Sequence, residues 1–205
     1  MKLSDIKEEK KKKNQPEKVK AEKTRDIMQV LEEEGISEAD LLSAAMELYV
    51  PHPGVENRDI AKRVFHRELK LAVSDPNLCI LIYAGILLEK EGDRGNLPGM
   101  NKETFKKDLT FLIVDEVIGM SIAKYISGDK GIFEFVRFDK MKPGILSTLG
   151  PFMDDVIAGL IGGVSANMYS RGKNDGGKIE IPDNKDGTPG LAKRFPRKVS
   201  KGFAG

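Results

Sequence analysis

The sequence predicts an all-α fold, a compact multi-helix bundle flanked by a charged arm and a polar tail. Apolar residues recur at helical spacing along residues 24–171, and Gly or Pro interrupts the pattern where helices usually end. No segment shows the clean alternation of a strand, although 111–114 and 133–136 are locally ambiguous. The 205 residues are enough for one domain with a sizeable core.

The first half of the predicted domain contains four helices with recognisable end signals. Gly35 ends the first helix, and Ser37 is a suitable N-cap for the second. Pro51 and Pro53 interrupt the chain after the second helix. Pro76 stands early in the fourth helix, whose strongly apolar sequence predicts a central place in the bundle. The predicted spans are 24–35, 37–50, 55–73 and 76–91.

The second half is predicted to end in a core helix that is rich in small residues. We expect Gly159, Gly162 and Gly163 in that helix to allow close helix packing rather than to bind a ligand. The predicted elements are a long or broken helix at 101–127, a turn at 128–131, a short apolar segment at 133–138 and the core helix at 151–169.

Lysine-rich segments flank the predicted domain on both sides. Residues 1–23 include the run Lys10–Lys13 and lack an apolar stripe, which predicts a solvated or disordered arm. Residues 172–205 are rich in Gly, Pro, Lys and Asp and are predicted to form a tail without a core. The formal net charge is only +2 and Trp is absent, so we expect no nucleic-acid partner.

The sequence favours a cytoplasmic protein. Its N-terminal segment is hydrophilic, unlike a secretory signal. The apolar runs at 78–88 and 156–164 are shorter than the roughly 20 residues that a membrane-spanning helix needs. The single cysteine, Cys79, cannot form a disulfide within the chain, which fits a reducing compartment.

Two pairs of adjacent carboxylates interrupt apolar segments. They are Asp115 with Glu116 and Asp154 with Asp155. Burying a carboxylate costs on the order of several kcal/mol unless it is paired or binds a metal, so two such pairs indicate a shared cation. Oxygen ligands of this kind suit Mg²⁺, with Mn²⁺ as the alternative. The dipole at the start of the last helix offers another explanation for Asp154 and Asp155, whereas Asp115 and Glu116 are predicted inside a helix.

The segment Asp139–Gly144 has the character of a phosphate-binding loop. Asp139 adds a carboxylate, and Lys142 can place a positive charge on a phosphoryl oxygen. The following Pro-Gly sets a rigid turn that exposes the backbone. Arg137 and Lys140 are further candidates for phosphate contact. Taken alone, this string equally suits a surface turn.

Three ordered motifs, Val114–Met120, Phe138–Gly144 and Phe152–Gly159, resemble those of the phosphatidylglycerophosphatase A superfamily. The chain resembles its soluble, all-helical branch over about residues 28–171, including the Tyr-Val-Pro-His-Pro turn at 49–53. Within that branch it is similar to the archaeal α-ribazole phosphatases of the CobZ type. It lacks the glycine- and threonine-rich segments and the N-terminal spanning helices of the membrane-embedded members, which favours a soluble phosphomonoester.

The resemblance implies a Mg²⁺-dependent phosphomonoester hydrolase that acts on a small phosphomonoester substrate. Lys142 is expected to stabilise the transferred phosphoryl group. Asp155 or Glu116 is expected to accept the proton of an attacking water. The acids implied to hold one or two metal ions are Asp115, Glu116, Asp139, Asp154 and Asp155.

Three functions stay open at the level of sequence. The first is an α-ribazole 5′-phosphate phosphatase in assembly of the cobalamin nucleotide loop. The second is a phosphatase of phosphatidylglycerophosphate or a related lipid, in which case the basic segments at 10–13 and 193–198 would contact an anionic membrane. The third is a non-catalytic helical binding module stabilised by a metal. The apolar helices suit either a monomer or a homodimer.

Overall fold

Residues 25–107 and 112–172 are described by a computed structural model, in which they form α-helices joined by turns and one isolated β-bridge between His52 and Val55. The predicted all-α class is confirmed for these residues. The predicted arm at 1–23 and nearly all of the predicted tail at 172–205 lie outside them. The helices are α1 (Ile27–Glu33), α2 (Glu38–Glu47), α3 (Arg58–Ala72), α4 (Pro76–Arg94), α5 (Lys102–Phe105), α6 (Val114–Ser127), α7 (Asp129–Met141), a 3₁₀ helix (Gly144–Thr148) and α8 (Pro151–Arg171).

Helix α8 occupies the centre of the fold. Every residue from Phe152 to Met168 is buried, and α6 and α7 pack along most of its length. The prediction that α4 would be central is wrong, because α4 exposes the large apolar side chains of Ile80, Tyr83 and Leu87. The small residues of α8 let neighbours approach it from all sides, whereas the bulkier side chains of α4 pack on one face only.

Glycines set the short distances between α8 and its neighbours. A Cβ atom added at Gly159 would lie 2.3 Å from the carbonyl oxygen of Gly119 on α6. At Gly162 it would lie 2.6 Å from the backbone nitrogen of Phe135 on α7. At Gly163 it would lie 2.8 Å from the Cβ atom of Ile126 on α6. The predicted packing role of these three glycines is therefore confirmed.

Helices α6 and α8 run parallel to each other. Gly119 lies against Gly159 in the first half of both helices, and the Asn167 side chain donates to the Ile126 carbonyl near their ends, over 3.3 Å. Helix α7 follows α6 after a single turn residue, Gly128, and runs back in the opposite direction. The starts of α6 and α8 and the end of α7 therefore meet at one end of the bundle.

Local capping explains the starts of the N-terminal helices. The Ser37 hydroxyl accepts from the Asp40 backbone N–H over 3.2 Å, and the Asp40 carboxylate accepts from the Ser37 N–H over 2.9 Å. Asp75 caps α4 by accepting from the Asn77 N–H over 2.8 Å, with Pro76 as the first helical residue. These ends agree with the signals read from the sequence.

Of two predictions about helix boundaries in the second half, one is confirmed and one is wrong. The predicted long or broken helix at 101–127 is broken, since it consists of α5 and a separate α6, and Ile113 before α6 has non-helical backbone angles. Ile113 and Val114 are both β-branched, which lowers helix propensity there. The predicted turn and apolar segment at 128–138 belong to one helix, α7, because Gly131, Phe135 and Phe138 recur at helical spacing and are all buried.

Within 25–107 and 112–172, no individual helix combines the length and the apolar composition that crossing a membrane requires. One pair, α3 and α4, meets the criteria of length and composition together, with a bend of 90° between the two helices.

Candidate active site

Three carboxylates converge where α6 and α8 begin. One oxygen atom from each of Asp115, Glu116 and Asp155 lies within 4.8 Å of the other two. Asp115 and Gly119 are one helical turn apart on α6, and Asp155 and Gly159 are one turn apart on α8. The close contact between the two glycines therefore brings the two aspartates together.

Asp115 and Glu116 lie in the first turn of α6, which begins at Val114. Their predicted position in a helix interior is wrong, and the helix dipole favours them as it favours Asp154 in the first turn of α8. Such a dipole contributes about 0.3–1 kcal/mol per carboxylate at exposed sites. This is less than the cost of burying a charged carboxylate, on the order of several kcal/mol, so the helix dipole alone does not explain these acids.

Burial raises the pKa of both aspartates in this group. The pKa of Asp115 rises from 3.8 to about 7, mainly through loss of hydration and then through its neighbour Glu116. The pKa of Asp155 rises from 3.8 to about 8, through loss of hydration and then the charges of Asp154 and Asp139. A divalent cation among these groups would favour their ionised forms and reverse the shifts.

The group fits a divalent cation. Its donors are all carboxylate oxygens, which hard cations prefer. Within the described part of the chain, Glu116 Oε2 is buried and accepts no hydrogen bond. A buried oxygen without a donor is costly, and a cation would satisfy it. Asp115, Glu116 and Asp155 are therefore the residues that could hold a metal ion.

Asp139, Lys142 and Asp154 lie beside this group. Asp139 is in the last turn of α7 rather than in the predicted loop, and its negative charge helps to raise the pKa of Asp155. The Lys142 ammonium group pairs with the carboxylate of Asp154, which is 7% exposed. Lys142 has a φ of 40°, and among the described residues no other non-glycine has a positive φ. Strained backbone of this kind is typical of functional sites.

Arg137 and Lys140 are placed differently from the other predicted residues. The Arg137 guanidinium contacts the Glu134 carboxylate over 2.6 Å and donates to the Leu48 carbonyl over 2.8 Å. These contacts hold the Arg137 side chain away from the carboxylate group, and its contact with phosphate stays a prediction. Lys140 is exposed in the last turn of α7, and its role stays a prediction.

A cavity of about 600 Å³ opens next to Asp154. Its walls include the acids Glu89 and Asp93 and the bases Lys106 and Lys142, together with Asp154 itself. Charged walls of both signs suit a polar, phosphorylated ligand better than an apolar one.

Glu89 is a residue of this region that the sequence analysis missed. Its Oε2 atom accepts hydrogen bonds from the backbone N–H groups of Phe152 over 2.9 Å and Met153 over 3.2 Å. Burial raises the pKa of the Glu89 carboxyl, and these two hydrogen bonds lower it in part. The available signal was the Gly150-Pro151 start of α8, which provides no side chain to cap the helix.

The part of the chain that contains this site is similar in sequence to a known protein family and to an uncharacterized protein. A family model described as phosphatidylglycerophosphatase A matches residues 41–170. An uncharacterized protein of Methanocaldococcus jannaschii, MJ1330, is 39% identical over 132 residues. This match covers 62% of the present chain and 99% of the relative.

Solved structures share the helical arrangement. The low temperature requirement C protein of Listeria monocytogenes matches with a TM-score of 0.59 at 21% identity, over 71% of this chain and 93% of that protein. Protein ypjQ of Bacillus subtilis matches with a TM-score of 0.59 at 20% identity, over 72% of this chain and 93% of its own. At this identity, the matches show a common fold.

Proposed function

The chain belongs to the phosphatidylglycerophosphatase A family, and we propose that it removes a phosphomonoester group with the help of a divalent cation held by Asp115, Glu116 and Asp155. Family membership supports a phosphatase activity in general. The observation that carries the proposal is the convergence of these three carboxylates inside the matched region. Family membership favours hydrolysis over a non-catalytic module that is stabilised by a metal.

The surrounding residues can serve phosphoryl transfer, which depends mainly on positioning and charge stabilisation. When bound, the cation would neutralise phosphate oxygens and orient an attacking water. Lys142, held at the cavity by Asp154, would stabilise the charge that develops on the phosphoryl oxygens. Glu116, whose Oε2 is unpartnered among described groups, or Asp155 would accept the proton of the water.

Phosphatidylglycerophosphate, or a related lipid phosphomonoester, is the first candidate substrate. The family description supports it better than it supports α-ribazole 5′-phosphate. With a lipid substrate we expect a cytoplasmic, membrane-peripheral enzyme. The basic segments at 10–13 and 193–198, which lie outside the described residues, would then contact an anionic bilayer.

α-Ribazole 5′-phosphate is the second candidate because the cavity next to Asp154 has charged walls. Lys106 and Lys142 can contact a phosphate, and Glu89 and Asp93 can accept hydrogen bonds from sugar hydroxyl groups. These features suit a small polar phosphomonoester, and with α-ribazole 5′-phosphate as substrate the reaction would belong to assembly of the cobalamin nucleotide loop. In that case Mg²⁺ is again the expected ion, with Mn²⁺ as the alternative.

The test is phosphate release by the purified chain from both substrates side by side, with Mg²⁺ and with EDTA. Faster release from the lipid supports the first candidate, and faster release from the ribazole compound supports the second. In either case we expect EDTA to stop the reaction and added Mg²⁺ or Mn²⁺ to restore it. Release that is indifferent to chelation would contradict the proposed role of the carboxylates.

A further inference from the structure

We propose that Glu89 is a positioning residue of the metal site, which ties the end of α4 to the start of α8 and thereby holds Asp155 against Asp115. The inference rests on the proposed function, since it concerns the same carboxylates. Glu89 lies outside the predicted motifs and outside the group that could hold the cation, so its effect would pass through the first turn of α8.

The first turn of α8 depends on Glu89 for its cap. The first backbone N–H groups of a helix have no partner within the helix, and a side chain at the N-cap usually accepts one or two of them. The N-cap of α8 is Gly150, which has no side chain. Glu89 accepts from Phe152 and Met153, the second and third residues of the helix, which are the groups that a local cap would satisfy.

This cap comes from another helix, which distinguishes it from the caps elsewhere in the described chain. Asn57 caps α3 three residues ahead by accepting from the Ile60 N–H over 3.0 Å, so that cap fixes only its own helix. Glu89 is 63 residues from Phe152 in sequence. Its two hydrogen bonds therefore cap α8 and also fix the position of the first turn of α8 relative to α4.

The start of α8 fits closely against Glu89. A Cβ atom added at Gly150 would lie 1.8 Å from Glu89 Oε1 and 2.6 Å from its carboxyl carbon. Asp154 and Asp155 follow directly after the two residues that Glu89 holds. A metal site requires its ligands within about 0.5 Å of the productive geometry, so loss of this contact should displace Asp155 from Asp115 and Glu116.

The experiment measures Mn²⁺ affinity of the full chain by calorimetry, together with unfolding in denaturant and with phosphate release. Glu89→Ala is expected to weaken Mn²⁺ binding by about 10- to 100-fold, as substitutions behind metal ligands do. Glu89→Gln keeps an oxygen acceptor for the two N–H groups and should retain most of the affinity. Asn57→Ala removes a comparable cap away from the carboxylates and should lower stability without changing Mn²⁺ affinity.

A double variant separates positioning from simple capping. Gly150→Ser in the Glu89→Ala background places a local cap at α8, in space that the Glu89 carboxylate no longer occupies. We expect it to recover unfolding stability but not Mn²⁺ affinity, because the link to α4 is still missing. If Glu89→Ala is too unstable to purify, the Mn²⁺ affinity of the double variant is compared directly with that of the wild type.

The outcomes distinguish this inference from the proposed function. If Mn²⁺ affinity is the same in the wild type and Glu89→Ala, or returns in the double variant, Glu89 is not a positioning residue. If Glu89→Ala loses Mn²⁺ affinity while the wild type cleaves neither substrate, the inference stands and the proposed function fails. A wild type that does not bind Mn²⁺ would overturn both.

Discussion

Asp155 lies among buried apolar side chains and near four further acids, so a neutral side chain at this position should behave very differently from a carboxylate. We expect Asp155→Asn to lower the rate of phosphate release by about 10²-fold or more, since an oxygen ligand with full charge is lost. In EDTA the variant should be as stable as the wild type or more stable, because repulsion from the four neighbouring acids is relieved, namely Asp154, Asp139, Asp115 and Glu116.

Asp129→Asn is a matched control for this change. Asp129 also lies in the first turn of a helix, but its side chain is 82% exposed. We expect this variant to match the wild type in rate and to lose at most about 1 kcal/mol of stability, since the helix dipole no longer acts on a charged group there. Normal turnover by Asp155→Asn would show that the carboxylates do not form the metal site.

The pH dependence of stability follows from the raised pKa values of Asp115 and Asp155. In the metal-free protein these groups bind protons more tightly when folded than when unfolded, so folding takes up protons between about pH 4 and pH 8. The free energy of unfolding should therefore fall as pH rises through this window. Denaturant unfolding in EDTA across the window measures the slope, and Asp155→Asn should flatten it. A stability that rises over the same window would contradict the assignment.

Single residues of the site were predictable where an unusual residue stood in an apolar segment. Asp115 and Asp155 could be identified in this way because a buried charge needs a local reason. Glu89 could not, since its partners are backbone N–H groups 63 residues away that leave no mark in the sequence. The contact of Arg137 with the Leu48 carbonyl could not be predicted for the same reason, because the two residues are 89 positions apart.

At the level of helices, the distance between α6 and α8 should be as important as the carboxylates themselves. Gly159→Ala would place a methyl group 2.3 Å from the Gly119 carbonyl oxygen and force the two helices apart. We expect a loss of about 1–3 kcal/mol in the free energy of unfolding. Mn²⁺ affinity should also fall, because Asp115 and Asp155 each lie one turn from this contact.

Ser121→Ala is the control for the glycine substitution, since it alters an exposed small residue of α6. Calorimetry and denaturant unfolding of both variants check the expectation. If Gly159→Ala binds Mn²⁺ as the wild type does, the glycine contact does not determine the geometry of the site.

Helix ends in the N-terminal half could be predicted, and those around the site could not. The capping residues Ser37 and Asp75 act within a few residues of themselves, so their sequence signals are local. The start of α6 carries no side-chain cap, and α8 takes its cap from α4. A tertiary contact therefore caps the start of α8, and no local side-chain cap marks the start of α6.

For the whole molecule, we expect the flanking segments to be dispensable for chemistry on a soluble substrate. The carboxylate group and the cavity lie within residues 25–107 and 112–172. Removal of residues 1–23 and 173–205 should therefore leave helicity and release of phosphate from α-ribazole 5′-phosphate, or from a soluble phosphomonoester analogue, unchanged. Circular dichroism and a phosphate assay check this. Loss of turnover in a folded truncated chain would show that the flanking segments help to form the site.

The central position of α8 has a consequence for how the protein is made. Among the described helices, α8 is synthesised last, yet the earlier helices pack their apolar faces against it. A nascent chain must therefore wait for its final described helix to leave the ribosome before its core can close, and it exposes aggregation-prone surface until then. A premature stop or a frameshift within codons 151–171 would consequently remove the centre of the protein, and we expect such products to be degraded rather than to persist as shortened enzymes.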